Sequence, residues 1–159
     1  IAIENWQHDL NIGSVVRTAN AFNVSSVHIV GKRDWNRRGA MVTDKYLHVI
    51  HHATVSEFQE WSKVNSCPII GIDNVPGSLP LEKSQLPLRC VLFFGQEGAG
   101  MSDEAIAAFG QEGAGMSDEA IAACEKIYEI SQFGSTRSMN ASAAAAIAMY
   151  AWGMQHLHK

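Results

Sequence analysis

The stretch that decides the fold is residues 1–31: Ile1-Ala2-Ile3-Glu4-Asn5-Trp6, then Asn11-Ile12-Gly13-Ser14-Val15-Val16-Arg17-Thr18-Ala19, then Val27-His28-Ile29-Val30-Gly31. The opening six are a short apolar run. Val15, Val16, Ala19 and Phe22 then recur at helical spacing, and Val27 to Val30 is continuously apolar up to Gly31. This is strand, loop, helix, strand. Pro68-Ile69-Ile70-Gly71-Ile72 and Cys90-Val91-Leu92-Phe93-Phe94 repeat the unbroken apolar pattern of strands buried on both faces, which belong to parallel sheets. Val55 to Val64 reads as a helix with Phe58 and Trp61 on one side, Lys126 to Ile130 as a strand, and Asn140 to His156 as a long final helix. The alternation predicts an α/β fold, a mostly parallel sheet flanked by helices. On the final helix Ile147, Tyr150, Ala151 and Met154 fall at i, i+3, i+4, i+7 below Ala143 to Ala146. From pattern alone that stripe packs on the helix's own sheet rather than on a second subunit, although one helix can serve both.

A chain of 159 residues fits one domain over 1–159. With 47% hydrophobic and 18% charged residues it is too apolar to be disordered. Sixteen acidic against twelve basic side chains leave a formal charge of -4, so no global positive field points to nucleic acid, and only a local patch can. Cys67, Cys90 and Cys124 are odd in number and widely spaced, which excludes a disulfide framework and a zinc ribbon and fits a reducing compartment. The longest apolar run, Ala143 to Trp152, is about half of the ~20 residues of a membrane span. The chain is therefore expected to be soluble and cytoplasmic. Because Ile1-Ala2-Ile3 already reads as strand, it is also expected to begin inside its first element, with residues upstream missing.

One segment is duplicated. Phe94 to Ala108 recurs without a change as Phe109 to Ala123, an offset of 15 residues. Solenoid repeats diverge and need about three copies to bury a core, so a tandem duplication explains this better than a repeat fold. Each copy is a glycine-rich loop entering a helix, with Ser102 or Ser117 as the cap and Asp-Glu in the first turn. Only the first copy leaves a strong strand.

Several loops carry candidate chemistry. The loop after Phe94 follows the carboxyl end of a parallel strand, where open α/β sheets place ligands, but it is neither a P-loop nor a G-x-G-x-x-G fingerprint. Asn11 to Thr18 sets an amide at a helix entrance and a guanidinium further along; alone it is an Asn cap and a surface Arg. Gln132 to Asn140 packs polar side chains between a strand and the last helix. No G-x-S-x-G elbow offers a serine nucleophile. His48, His51 and His52 have no carboxylate or thiolate partner at ligand spacing, so they are expected to be exposed and no metal is expected. Lys32, Arg33, Arg37 and Arg38 surround Trp35, a small RNA-contact candidate in which cations meet phosphates and the indole stacks on an unpaired base.

Taken together and in order, three of these segments resemble the SpoU/TrmH family of RNA ribose 2′-O-methyltransferases, in the SPOUT superfamily. They are Asn11 to Ala19, Leu92 to Met101, and Ile130 to Ser142. The resemblance implies a C-terminal trefoil knot, a homodimer, and S-adenosylmethionine held in the knot by groups around Phe94, Gly95, Gly98, Ile130, Ser131 and Met139. It places catalytic positions on Asn11, Arg17, Glu97, Ser138 and Asn140, with Arg17 reaching the active site across the dimer interface. The implied reaction is methyl transfer to a ribose 2′-hydroxyl of tRNA or rRNA. The alternatives are a non-catalytic RNA-binding dimer that keeps the fold and, more distantly, a nucleotide-dependent oxidoreductase. The chain departs from the family pattern in its doubled second segment, in Met139-Asn140-Ala141 where Leu-Asn-Val is commoner, and in its acidic charge. The doubling leaves Glu97 or Glu112 as the working carboxylate, and Glu97 is expected because its loop leaves the strand.

Overall fold

The computed structural model describes residues 1–6, 11–96, 115–135 and 139–157. Its strands are β1 (Ala2–Asn5), β2 (Ser26–Gly31), β3 (His48–His52), β4 (Ile69–Ile72), β5 (Leu79–Pro80), β6 (Val91–Phe94) and β7 (Lys126–Glu129). They form one sheet in the order β3-β2-β1-β6-β4-β7-β5, and every pairing within it is parallel. Such a sheet needs cover on both faces. Helices α1 (Ile12–Ala21) and α4 (Ala141–His156) cover one face, and α2 (Val55–Val64) and α3 (Asp118–Ala123) the other.

The two cores follow from the alternation of side chains along each strand. Ile3, Ile29, Ile70, Leu92 and Phe94 point toward Ile12, Val16, Ala145 and Met149 of α1 and α4. Ala2, Val30, Ile69, Val91 and Phe93 point toward Val55, Phe58 and Ala120 of α2 and α3. The expected strands and helices occur in the expected order, and β3 and β5 are added to them.

Two differences have physical causes. β3 reads His-Val-Ile-His-His and lacks the apolar signature of a strand, yet His52 is buried rather than exposed. Its Nε2 lies 2.8 Å from Nδ1 of the buried His28, whose Nε2 meets Ser26 Oγ at 2.9 Å; the two imidazoles stack, and Phe58 and Trp61 of α2 pack against them at tilted angles. Paired imidazoles satisfy each other and behave as apolar rings. The second difference is α4, which turns Ala141, Ala145, Ala148 and Met149 inward and leaves Ile147, Tyr150 and Met154 exposed. The helix is apolar all round, so large side chains do not mark its inner face; close packing against α1 selects the small ones. Among the described residues no helix is long and apolar enough to cross a membrane.

Candidate functional site

The carboxyl ends of the central strands β1, β6 and β4 lie side by side. A network of acceptors, Glu4 buried and Asp73 and Gln96 half-buried, closes over them with its donors. Glu4, last but one in β1 and fully buried, accepts three hydrogen bonds: from Trp6 Nε1 (2.7 Å), Ser117 N (2.8 Å) and Ser117 Oγ (2.7 Å). Asp73, just past β4, accepts from Met116 N at 2.7 Å, and Gln96, just past β6, accepts from Trp6 N through Oε1 and from Gly115 N through its carbonyl. Residues 115–117 of the second copy of the duplicated segment are thereby seated against Gly95–Gln96 of the first. The fit is tight: a Cβ on Gly95 would lie 2.0 Å from the Gly115 carbonyl carbon. Ser117 then caps α3 by accepting from Ala120 N, as the sequence predicts for one of the two serines.

At the same edge Asn11 and Asn140, 129 positions apart in sequence, come together: Asn140 Nδ2 donates to Asn11 Oδ1 at 3.2 Å. Asn140 Oδ1 caps α4 by accepting from Ser142 N and Ala143 N. Asn11, by contrast, stands at the start of α1 without a side-chain cap bond to its own helix. Its side chain faces the third segment instead. Arg17 is exposed on α1 and makes no ion pair with another described residue. Of the expected donor-binding positions, Phe94 is buried in the core, Gly95 and Ile130 are half-buried, and Met139 is at the surface. Ser131 Oγ donates to Glu82 Oε1 at 2.6 Å. Glu97, Gly98, Glu112 and Ser138 lie outside the described residues.

The basic loop is exposed as expected at Lys32, Arg33, Arg37 and Arg38. Trp35 is not the open stacking surface that its sequence position suggests. It is half-buried against the α1 core, and the Arg37 guanidinium lies 5.5 Å from its ring centroid. Asn5 ties the loop to β1 by donating from Nδ2 to the carbonyls of Lys32 (2.7 Å) and Asp34 (3.0 Å). The loop then presses on α1, where a Cβ on Gly13 would sit 2.8 Å from the Asn36 carbonyl oxygen. Gly13 is glycine because this backbone passes so close.

Glu4 and Asp73 escaped the reading of the sequence. For Glu4 the available signal was a carboxylate inside a strand otherwise fit for burial on both faces, which demands partners; Asp73, half-buried just past β4, carried no such signal. The free thiols are poor nucleophiles: burial pushes Cys90 up to about 11, and burial with the carboxylates of Glu4 and Asp73 pushes Cys124 up to about 12. Among the described residues no group of three His, Cys, Asp or Glu side chains is arranged to hold a metal. A cavity of about 470 Å³ opens at the opposite edge of the sheet, between Ile1, Cys67, Arg89 and Trp152, far from the meeting of Asn11 and Asn140.

Residues 1–150 match the model of the SpoU rRNA Methylase family. The chain belongs to that family. It is 24% identical over 151 residues to a tRNA (guanosine(18)-2′-O)-methyltransferase of Borreliella burgdorferi, a match covering 93% of this chain and 62% of that protein. The chain thus spans about three-fifths of the curated relative. The fold agrees with that of the A. aeolicus TrmH/SpoU tRNA modifying enzyme (TM-score 0.78, 19% identity, 99% of this chain and 74% of that one). It also agrees with that of the SpoU methyltransferase AviRb from Streptomyces viridochromogenes in complex with AdoMet (TM-score 0.80, 19% identity, 98% of this chain and 57% of that one).

Proposed function

We propose that this chain transfers a methyl group from S-adenosylmethionine to a ribose 2′-hydroxyl of tRNA or rRNA, working as a homodimer with its C-terminal part threaded as the family's trefoil knot. The observation that carries the reading is the Asn140 to Asn11 hydrogen bond. It joins the first and third family segments at the ligand-binding edge of a parallel sheet, in a chain of the SpoU family.

The residues at this edge fit a sulfonium donor. Half-buried Ile130 and exposed Met139 offer apolar surface beside main-chain groups, and the charged side chains bonded into the edge are the carboxylates of Glu4, Asp73, Glu82 and Glu129. When bound, the donor supplies an electrophilic methyl group for in-line displacement. Phe94, Gly95, Gly98, Ile130, Ser131 and Met139 hold it, and Asn11, Glu97, Ser138 and Asn140 orient the sugar. Alignment of this kind is worth up to ~7–11 kcal/mol of the barrier. The 2′-hydroxyl would lose its proton as its oxygen bonds the methyl carbon and the sulfur–methyl bond breaks, the electron pair leaving on sulfur as a neutral thioether. Arg17 either accepts that proton or anchors an RNA phosphate while another group accepts it, and a guanidinium pKa above ~12 makes the first role costly. Lys32, Arg33, Arg37 and Arg38 draw in the RNA backbone.

The dimer is supported by the outer face of α4. Ala143, Ile147, Tyr150, Met154 and Leu157 are all exposed, uncharged and spaced by three and four residues, a seam suited to a second helix. It lies on the helix packed against α1, which carries Arg17. The test is transfer of labelled methyl groups into RNA, with mass-spectrometric mapping of ribose methylation in total RNA with and without the active protein. Arg17→Lys is expected to lose most turnover while donor affinity, read by calorimetry, is unchanged. Near-normal turnover in that variant would remove both the base role and the bidentate anchor role.

A further inference from the structure

The segment from Lys32 to Tyr46 carries five cations, Lys32, Arg33, Arg37, Arg38 and Lys45, against the carboxylates of Asp34 and Asp44, in a chain whose formal charge is -4. Within it stand three exposed large apolar side chains: Tyr46 (78%), Met41 (65%) and Val42 (55%). They sit around a turn between two short 3₁₀ helices, Arg37–Ala40 and Thr43–Tyr46. Both helices pack against α1.

Met41 (φ 48°) and Val42 (φ 68°) both adopt the left-handed conformation. A β-branched residue there is strained, and glycine would take the same shape freely. The surroundings hold the turn: Thr43 Oγ1 donates to the Ala40 carbonyl at 2.6 Å, Lys45 N to the Val42 carbonyl at 3.2 Å, and Arg37 pairs with Asp44 at 3.5 Å. A strained, apolar, exposed turn amid cations is poor design for solubility alone.

We propose that Tyr46, with Met41 and Val42, is a platform on which an unpaired base of a single-stranded RNA loop stacks while the surrounding cations hold the flanking phosphates. The inference rests on the RNA-modifying reading above and moves the stacking role from Trp35, whose ring is partly buried and faced by Arg37, to Tyr46. Charge decides between occupants. A second copy of this chain docking here about a two-fold axis would bring cations against cations, whereas RNA brings phosphates. The uncharged seam on α4 is the better surface for a second copy.

The experiment is fluorescence anisotropy with the full chain and two labelled RNAs of equal length, a hairpin with a seven-nucleotide unpaired loop and a perfect duplex. Tyr46→Ala should bind the hairpin about tenfold more weakly while duplex binding is unchanged, since stacking is read only on unpaired bases. Val42→Gly separates function from folding. It should raise the melting temperature by about 2–4 °C by removing strain, yet weaken hairpin binding. Higher stability with unaltered hairpin affinity would overturn the platform, as would a Tyr46→Ala variant that binds like the parent. A change in sedimentation in either variant would assign the patch to a second copy instead and equally overturn it. The functional reading fails separately, in an unmodified chain that neither binds S-adenosylmethionine by calorimetry nor methylates RNA.

Discussion

Replacing Glu4 by Gln tests whether the network under the candidate site holds residues 115–117 in place. The side chain is fully buried, and its two oxygens accept three bonds, from Trp6 Nε1 and Ser117 Oγ at Oε1 and from Ser117 N at Oε2. Glutamine keeps the shape but turns one oxygen into a donor. In one orientation its amide nitrogen confronts Ser117 N–H at about the 2.8 Å of the present bond. In the other it confronts the Trp6 indole N–H. Either way a buried donor is orphaned, costing roughly 1–3 kcal/mol, and the remaining bonds lose the charge assistance that makes carboxylate bonds about twice as strong. The expected loss is therefore about 3 kcal/mol. For a domain of this length that lowers the melting temperature by roughly 6–12 °C. Differential scanning calorimetry reads the shift, and titration with S-adenosylmethionine reads whether the seated segment still supports binding, which is expected to weaken in parallel. A shift under about 2 °C with unchanged donor affinity would refute the account of Glu4 as the anchor.

Two further outcomes are expected. Tyr150→Glu, which puts a charge in the middle of the exposed α4 seam, should turn a dimer into a monomer by analytical ultracentrifugation at micromolar concentration, with helix content unchanged by circular dichroism. The second concerns pH. His28 is lowered to about 3, first by burial and further by the neighbouring His52, and burial lowers His52 as well. The folded chain thus resists protonation that the unfolded chain accepts below about 6.5, so stability is full above that pH and falls as pH drops toward 3. Urea unfolding at pH 7 and pH 5 should differ by about 2 kcal/mol from His28 alone, and a His28→Asn variant should lose most of that difference.

How far the sequence carries can be judged at particular residues. Runs such as Ile69 to Ile72 and Val91 to Phe94 are legible because a strand buried on both faces has no polar positions to obscure it. β3 was illegible as an apolar strand because its burial depends on His52 finding His28, 24 residues away. The short β5, Leu79–Pro80, has too few residues to show any period. At the site, Asn11 and Asn140 were legible through their segments, but their meeting was not, since each reads equally well as a helix cap. Glu4 and Asp73 were missed because such an acceptor is identified by its donors, and the donors of residues 115–117 come from distant sequence. The inner face of α4 was misjudged because size, not polarity, separates its two sides.

The duplication ends in a definite expectation. Glu4 and Asp73 occur once, outside the repeat, so they can seat one Gly-Met-Ser sequence at a time, and that sequence is Gly115-Met116-Ser117. The strand that leads in, Val91–Phe94 with Gly95 and Gln96, belongs to the first copy. Removing residues 97–111 joins Gln96 to Glu112 and restores a single Gly-Gln-Glu-Gly-Ala-Gly-Met-Ser sequence, leaving every described anchor in place. Counting only chain closure, shortening the connection from Gln96 to Gly115 from eighteen residues to three favours folding by about 1–2 kcal/mol. The melting temperature should rise by roughly 2–8 °C, read by calorimetry beside the parent chain. The shortened protein keeps one glutamate, Glu112, in the position that Glu97 takes in the parent sequence. Retained methyl transfer would mean that a single copy supplies both the seat and the working carboxylate. An unfolded or donor-blind deletion would mean that the first copy does something at this edge that the second cannot.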